Sequence, residues 1–298
     1  MKRSYGRERS IQGHVIAVIG YFHHFDYAPS EAHIHMFMPI KVSKTHLQQI
    51  LTQLVRQKKL IRTHSGMPPD SIYAMGGHSI LFKKRAVRKA QTDKMLSSLS
   101  TYSHMLYLSP WIKMVGISGS CSMDNAKGSD DVDFFIITAA NRLWLARLWA
   151  ITAAKILGVH RRRSQKRVTG KACLNMFFDE SDLLVPHAKQ NLYTGHEVAQ
   201  MRLINMRRGA YYQRLFLQSN KWIRHYFPNI SIRRNAEDIS PSYKEKNSIY
   251  SIVGGLMEWF AKELQLHIMR AHITHEIITK RSCGFSQKTI KKKLEKLV

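Results

Sequence analysis

The run Met114-Val115-Gly116-Ile117-Ser118-Gly119-Ser120, followed after ten residues by Asp131-Val132-Asp133-Phe134-Phe135-Ile136-Ile137, sets the reading of the whole chain. The first part is apolar, short and bounded by a breaker, as expected of a buried strand that ends in a Gly-Ser turn. The second opens on acids and continues apolar, as a neighbouring strand would. Along a strand, residues i and i+2 point to one face, so Asp131 and Asp133 present two carboxylates side by side while Val132 faces the other way. Adjacent anions repel unless a cation sits between them, and Mg²⁺ or Mn²⁺, which binds a few carboxylates together with phosphate oxygens and water, suits that place. Gly119 and Ser120 offer backbone N–H groups and a hydroxyl where a ligand can approach closely. The pattern predicts a site for a metal-chelated triphosphate. Asp124, Asp130, Asp131 and Asp133 crowd into ten residues of a chain that is otherwise poor in acids.

Working outward, a helix is expected from Asn141 to about Leu157, then a basic loop from His160 to Lys171, then a third strand from Ala172 to Phe178. Beyond Pro186 the pattern is mainly helical, over Glu197–Met206, Tyr211–Phe227 and Ser251 to about His275, and ends in a tail with Lys291, Lys292 and Lys293. Upstream, helical patterns through Val15–Phe25, from Ser30 and from Ser43 precede a run Leu60–His64, the breaker Gly66-Met67-Pro68-Pro69-Asp70, and a β-like run Ser71–Ala74. The helix opening at Ser43 places Leu47, Ile50, Leu51 and Leu54 on one stripe. Three helices and a hairpin spell a winged helix. Its third helix offers Lys44, Thr45, Gln48, Gln49 and Gln53 to phosphates or base edges, or the module braces the chain or binds a protein. A connecting helix from Leu81 to about Leu106 begins with a solvated basic half, Lys83, Lys84, Arg85, Arg88 and Lys89. The expected organisation is a winged-helix-like domain over 1–78, a connector over 79–110, a catalytic-type domain over 111–190 and a helical C-terminal region over 191–298.

The chain has 298 residues, 44% of them hydrophobic, which excludes a disordered basic tail protein. Its 47 Lys and Arg against 20 Asp and Glu give a net charge of +27, a field that draws polyanions such as nucleic acid, triphosphates or anionic surfaces. Cys121, Cys173 and Cys283 are far apart and show no CxxC spacing, so neither a disulfide framework nor a zinc ribbon is expected, and a cytoplasmic setting is. No signal-peptide pattern opens the chain. The most apolar stretch, Leu143–Val159, is broken by Arg147 and Lys155, and no membrane partner is expected.

Gly119-Ser120, ten residues and Asp131-Val132-Asp133-Phe134 on strand, turn and strand resemble the signature of the DNA polymerase beta-like nucleotidyltransferase superfamily. The fuller run to Ile137, with Arg142-Leu143-Trp144, Cys173-Leu174-Asn175 and Asn191-Leu192-Tyr193-Thr194-Gly195-His196-Glu197, is similar to uncharacterised prokaryotic nucleotidyltransferase-domain proteins in which a winged-helix-like segment comes first. The resemblance is strongest from about Lys113 to Gln200. It implies an α+β nucleotidyltransferase fold, a small mixed sheet with flanking helices. It further implies metal ions, Mg²⁺ or Mn²⁺, on Asp131 and Asp133 as catalytic ligands, with Gly119 and Ser120 cradling a nucleoside triphosphate. The implied reaction moves a nucleoside monophosphate to an acceptor, RNA or another polyanion included, and releases pyrophosphate. Members of the superfamily usually carry a third carboxylate on a later strand. Here the aligned inward position is Asn175, which offers a carbonyl oxygen to a metal but takes no proton. Either Asn175 is a neutral ligand with Asp179 or Glu180 activating the acceptor, or the domain binds nucleotide without turnover, or it is a scaffold. The alternative function is a winged-helix nucleic-acid-binding regulator with a silent nucleotidyltransferase domain.

Other residues read more plainly. His33 and His35, like His23 and His24, lack a carboxylate or thiolate at ligand spacing and are expected on the surface. His272 and His275 share a helix face under the same reservation. Glu197, read at the start of a helix, is expected to stabilise that terminus through the dipole. Arg142 and Arg147 are expected to snorkel to solvent.

Overall fold

The computed structural model describes residues 2–64, 71–161, 168–204, 209–231, 249–270, 277–278 and 282–284. The breaker 66–70, Arg162, Arg163, Lys166, Arg167, His272, His275 and the lysine tail lie outside the described residues. The chain is mixed α+β and divides into two units, one built from Met1–Thr92 and Lys221–Ser231, the other from the remainder.

In the first unit, α1 (Lys2–His24), α2 (Glu31–Phe37) and α3 (Lys44–Arg56) precede an antiparallel hairpin of β1 (Leu60–His64) and β2 (Ser71–Met75). The hydroxyls of Ser30 and Ser43 accept from His33 N and His46 N, satisfying first-turn donors of α2 and α3, so both starts fall where the capping residues put them. The α3 stripe Leu47, Ile50, Leu51 and Leu54 is buried. An aromatic chain runs from Phe22 through Phe37 (5.4 Å) to Phe227 (4.9 Å), which follows the short helix α10 described below. The basic first half of α4 (Ile80–Ser98) is not solvated as a whole. Lys84 and Arg88 grip Asp26 at 2.9 and 3.0 Å, and Arg85 donates to Ala28 O beneath the Tyr27 ring. His33 and His35 are not surface residues either. His33 is half-buried between the Tyr27 and Ser30 hydroxyls, its pKa lowered to about 4 by burial and by Arg85, and His35 Nε2 meets Val42 O at 2.8 Å.

The expected connector is two helices, α4 and α5 (Ser100–Tyr107), and the division between units falls inside α4. The second unit then runs through β3 (Ile112–Ser118), the single turn α6 (Gly119–Ser122), β4 (Val132–Thr138), α7 (Leu143–Ile156), β5 (Ala172–Asp179), α8 (Leu192–Ala199), β6 (Arg202–Leu203) and α9 (Gly209–Ser219). After α10 (Ile223–Tyr226), which belongs to the first unit, come α11 (Ile249–Arg270), β7 (Ile277–Ile278) and β8 (Ser282–Gly284). The strand order is β6-β3-β4-β5-β8-β7, with β4 and β5 parallel and the other pairs antiparallel. Two helical expectations need correction. Of the stretch Glu197–Met206, the described part is the end of α8 followed by an edge strand, and Tyr211–Phe227 is interrupted between α9 and α10.

Period-two alternation sorts the sheet's two faces. Val115, Ile117, Val132, Phe134 and Ile136 enter a core with α5 and α7, where Tyr102 meets Phe134 at 5.3 Å. On the opposite face Phe135, Phe178 and Phe216 of α9 pack with ring centroids 4.8 to 5.5 Å apart. The two Glu258 carboxylate oxygens of α11 accept from Trp144 N and Leu145 N at 2.8 and 2.9 Å, capping α7 from outside its own sequence. Arg142 is buried against Gly254 and Arg147 donates to Gln265 at 2.7 Å, so neither snorkels freely to solvent. Among the described residues no helix is long and apolar enough to cross a membrane.

Candidate functional site

The acids between β3 and β4 separate into two pairs with different work. Asp124 binds Arg202 of β6 at 2.6 Å. Asp130 accepts from the Ser120 hydroxyl and from Lys127 N, both at 2.9 Å, and so closes the loop on itself. These two brace the turn. Asp131 and Asp133 remain at the end of the sheet, where Ser118 of β3 stands opposite Asp133, and Asp133 opposite Cys173 of β5.

Gly119 is required by two separate constraints. Its φ is +65°, a left-handed conformation that side-chain-bearing residues resist, and a Cβ there would lie 2.7 Å from Asp133 Oδ2. The turn thus passes directly over the carboxylate. Ser120 opens the loop as expected, but in this structure its hydroxyl proton goes to Asp130.

The ligand atoms of Asp131, Asp133 and Cys173 lie within 4.8 Å of one another. Asn175 belongs to the backbone of β5, and its side chain lies outside the described residues. Cys173 faces Asp133 because of an irregular register. Between the pairs Asp133↔Cys173 and Phe135↔Met176, β4 advances two residues while β5 advances three. Alternation counted from the middle of β5 therefore fails at its start. Asp179 and Glu180, the expected substitutes for a third strand carboxylate, sit at the far end of β5. They accept from Asn141 N and Ala140 N, at 2.6 and 3.0 Å, and take no part in the site.

Arg161 Nη1 donates to Asp131 Oδ2 at 2.5 Å and to Cys173 Sγ at 3.3 Å. Asp133 has no such ion pair among the described residues. Burial and then the Asp131 charge push its pKa up to about 6, against the pull of Cys173 and Arg161. Burial, Asp133 and Asp131 drive the Cys173 thiol far upward. Cys121, also buried, is pushed up to about 12 by burial first and the neighbouring acids second.

Glu197 completes the row. It is in the last turn of α8, not the first, where a negative charge gains nothing from the helix dipole. The chain from there enters β6, whose Arg202 pairs with Ile117 of β3, one residue before Ser118. Half-buried Glu197 has its pKa raised to about 7 by burial and by the Asp133 charge, with the nearby Ser118 hydroxyl pulling the other way. That hydroxyl is buried and makes no well-formed hydrogen bond. Nothing in the sequence around Glu197 signals this place, because the turn into a two-residue edge strand decides it. Chemically the arrangement can hold a divalent cation on oxygen and sulfur donors, accept phosphate oxygens at the Gly119 turn, and take up a proton at neutral pH.

Comparison of the chain with protein families, with curated proteins and with solved structures gives no match.

Proposed function

We propose that the second unit is a nucleotidyltransferase, moving a nucleoside monophosphate from a nucleoside triphosphate to an acceptor with release of pyrophosphate. The supporting observation is the Asp131–Asp133 pair, held at one end of a mixed sheet beneath a glycine turn that touches Asp133. Burial first and the neighbouring Asp131 charge second disfavour the Asp133 carboxylate, as its raised pKa records, and a bound cation would offset that cost. Asp131 and Asp133 would hold a divalent ion, which when bound neutralises charge on the phosphate oxygens. The Gly119 turn lets the triphosphate approach the backbone, and Ser120 turns its hydroxyl from Asp130 to a phosphate oxygen. Glu197, near neutrality and on the Asp133 side, is the carboxylate that takes the acceptor's proton, the part the third strand leaves open. In this reading the fold is the nucleotidyltransferase one implied by the resemblance, and the first unit is a winged helix that recruits the acceptor. A basic chain with net charge +27 suits RNA or another polyanion in that role.

The test is incubation of the purified chain with labelled nucleoside triphosphates, Mg²⁺ or Mn²⁺ and cell fractions. Label should pass to one fraction and be lost with Asp131→Ala and Asp133→Ala together. No transfer, or transfer undiminished in that variant, refutes the proposal. A second reading, a nucleic-acid-binding regulator, draws on the exposed polar face of α3, Lys44, Thr45, Gln48, Gln49 and Gln53, although Gln48 is already tied to Glu31 at 2.7 Å. It requires salt-dependent duplex binding that weakens when Lys44 and Gln48 are replaced. Duplex binding indifferent to those changes rules it out.

A further inference from the structure

We propose that Cys173 is the third protein ligand of the ion held by Asp131 and Asp133, and that the site consequently selects a thiophilic divalent ion of the zinc class over magnesium. The inference rests on the reading of the two aspartates as metal ligands, not on the transfer reaction. Three observations meet at this point. The Cys173 sulfur and the two carboxylates are mutually within 4.8 Å, close enough for one ion to contact all three. Strand pairing places Ser118, Asp133 and Cys173 on the same face, and the Ser118 hydroxyl on that face is buried and, although near Glu197, makes no well-formed hydrogen bond. A cationic group already bridges two of the ligand atoms, since one Arg161 nitrogen donates to both Asp131 Oδ2 and Cys173 Sγ.

The donor set decides between ions. Magnesium demands near-octahedral oxygen donors and keeps much of its water, so a sulfur in a three-ligand set gives it little. Zinc takes carboxylate oxygen and thiolate sulfur together, and three protein ligands with a fourth position left open is its usual arrangement where a reacting group must bind. Gly119 lies against Asp133 Oδ2, so a phosphate oxygen approaching at that turn would arrive beside the ligand atoms. Binding is an exchange without redox change: the metal–sulfur bond forms, the thiol proton passes to solvent, and Arg161 gives up both contacts to the incoming double charge. Cys121 is not a candidate ligand in its stead, because its sulfur is turned to Asp131 O at 3.7 Å.

The test uses the full chain, freed of metal by a chelator, and Cd²⁺ alone as probe, read by its thiolate-to-metal charge-transfer absorption. One equivalent should produce the band. Cys173→Ser should abolish it, while Cys121→Ser and Cys283→Ser keep it. Zn²⁺ should displace the probe, and Mg²⁺ in large excess should not. Cys173→Asp, which restores an all-oxygen set, should lose the band and gain thermal protection by Mg²⁺, guarding against a Cys173→Ser chain that merely misfolds. A band that survives Cys173→Ser, no band at all, or ready displacement by Mg²⁺ overturns the inference. A chain with the band but no nucleotidyl transfer loses the function proposed above and keeps this site. A chain that transfers with Mg²⁺ and ignores Cys173→Ser does the reverse.

Discussion

Glu197→Gln should make the protein more stable, and only above mildly acidic pH. Glu197 is held at about 7 in the folded chain against an ordinary value of 4.5, first by burial and second by the charge on Asp133. Below about pH 4.5 the group is protonated whether the chain is folded or not, so it costs nothing. Between there and about pH 7 the unfolded chain releases the proton while the folded chain retains it, and folding stability falls as pH rises. Above about 7 the loss is complete and constant. At about 1.4 kcal/mol per pH step the full loss is about 3 kcal/mol, reduced to about 2 by the screening that partial exposure allows. Glutamine preserves the shape and cannot ionise, so the difference between the two proteins isolates this group. Asp133, raised to about 6, titrates in the same window but does so in both proteins. The assay is urea unfolding with chelator present at pH 5, 6, 7 and 8. The wild-type and variant midpoints should nearly coincide at pH 5 and separate progressively to pH 8, the variant being the more stable. Parallel curves across that range would show that Glu197 is not held beside Asp133 in a desolvated place, and its assignment as the acceptor's base would go with it.

Gly119→Ala meets both a left-handed backbone and a carboxylate oxygen at 2.7 Å, so a loss of about 2 kcal/mol or more is expected in thermal or urea unfolding, together with loss of metal binding. Glu258→Ala leaves Trp144 N and Leu145 N of α7 uncapped and should cost about 1 to 2 kcal/mol, with hydrogen exchange accelerated at those two amides above all. Phe216→Ala removes the ring on which Phe135 and Phe178 both close, and should cost about 3 to 5 kcal/mol by the same unfolding assay.

What was legible in the sequence is what short-range rules determine. Ser30 and Ser43 mark the helix starts because a cap acts within three residues. Alternation along β3 and β4 locates both faces of the sheet and Asp133 opposite Ser118, while Asp131 immediately precedes β4 and does not lie on it. Where pairing decides, the sequence is mute. Cys173 stands opposite Asp133 because β5 gains a residue on β4 at that point, where an unbroken register would have put Leu174, and no periodicity within β5 records what its neighbour does. Edge strand β6 spans two residues, too few for any pattern, yet its pairing with β3 turns Glu197 from a helix-end acid into a neighbour of Asp133. Histidine-33 and the α4 cations read as surface residues for the same reason, since their partners Tyr27, Asp26 and Ala28 lie in other elements.

The charge balance bears on how the site should be understood. With 47 Lys and Arg for 20 Asp and Glu, a basic partner for an acid is readily supplied, and some structural acids have one, Asp26 with Lys84 and Arg88 and Asp124 with Arg202, while Asp130 and Asp179 are held by hydroxyl and backbone N–H donors. Among the described residues Asp133 and Glu197 form no ion pair, although burial raises both of their pKa values, followed by the Asp131 charge at Asp133 and the Asp133 charge at Glu197. Among the described residues Arg161 is the cation that reaches the group, and it does so through Asp131 and Cys173. Folding alone would favour a lysine or arginine between these carboxylates, or their replacement by apolar residues. On the function proposed above, retaining them desolvated and without an ion pair among the described residues would keep a place for a cation, which is a binding requirement and not a stabilising one. On that proposal the net charge of +27 would act at longer range, drawing an anionic group toward the site.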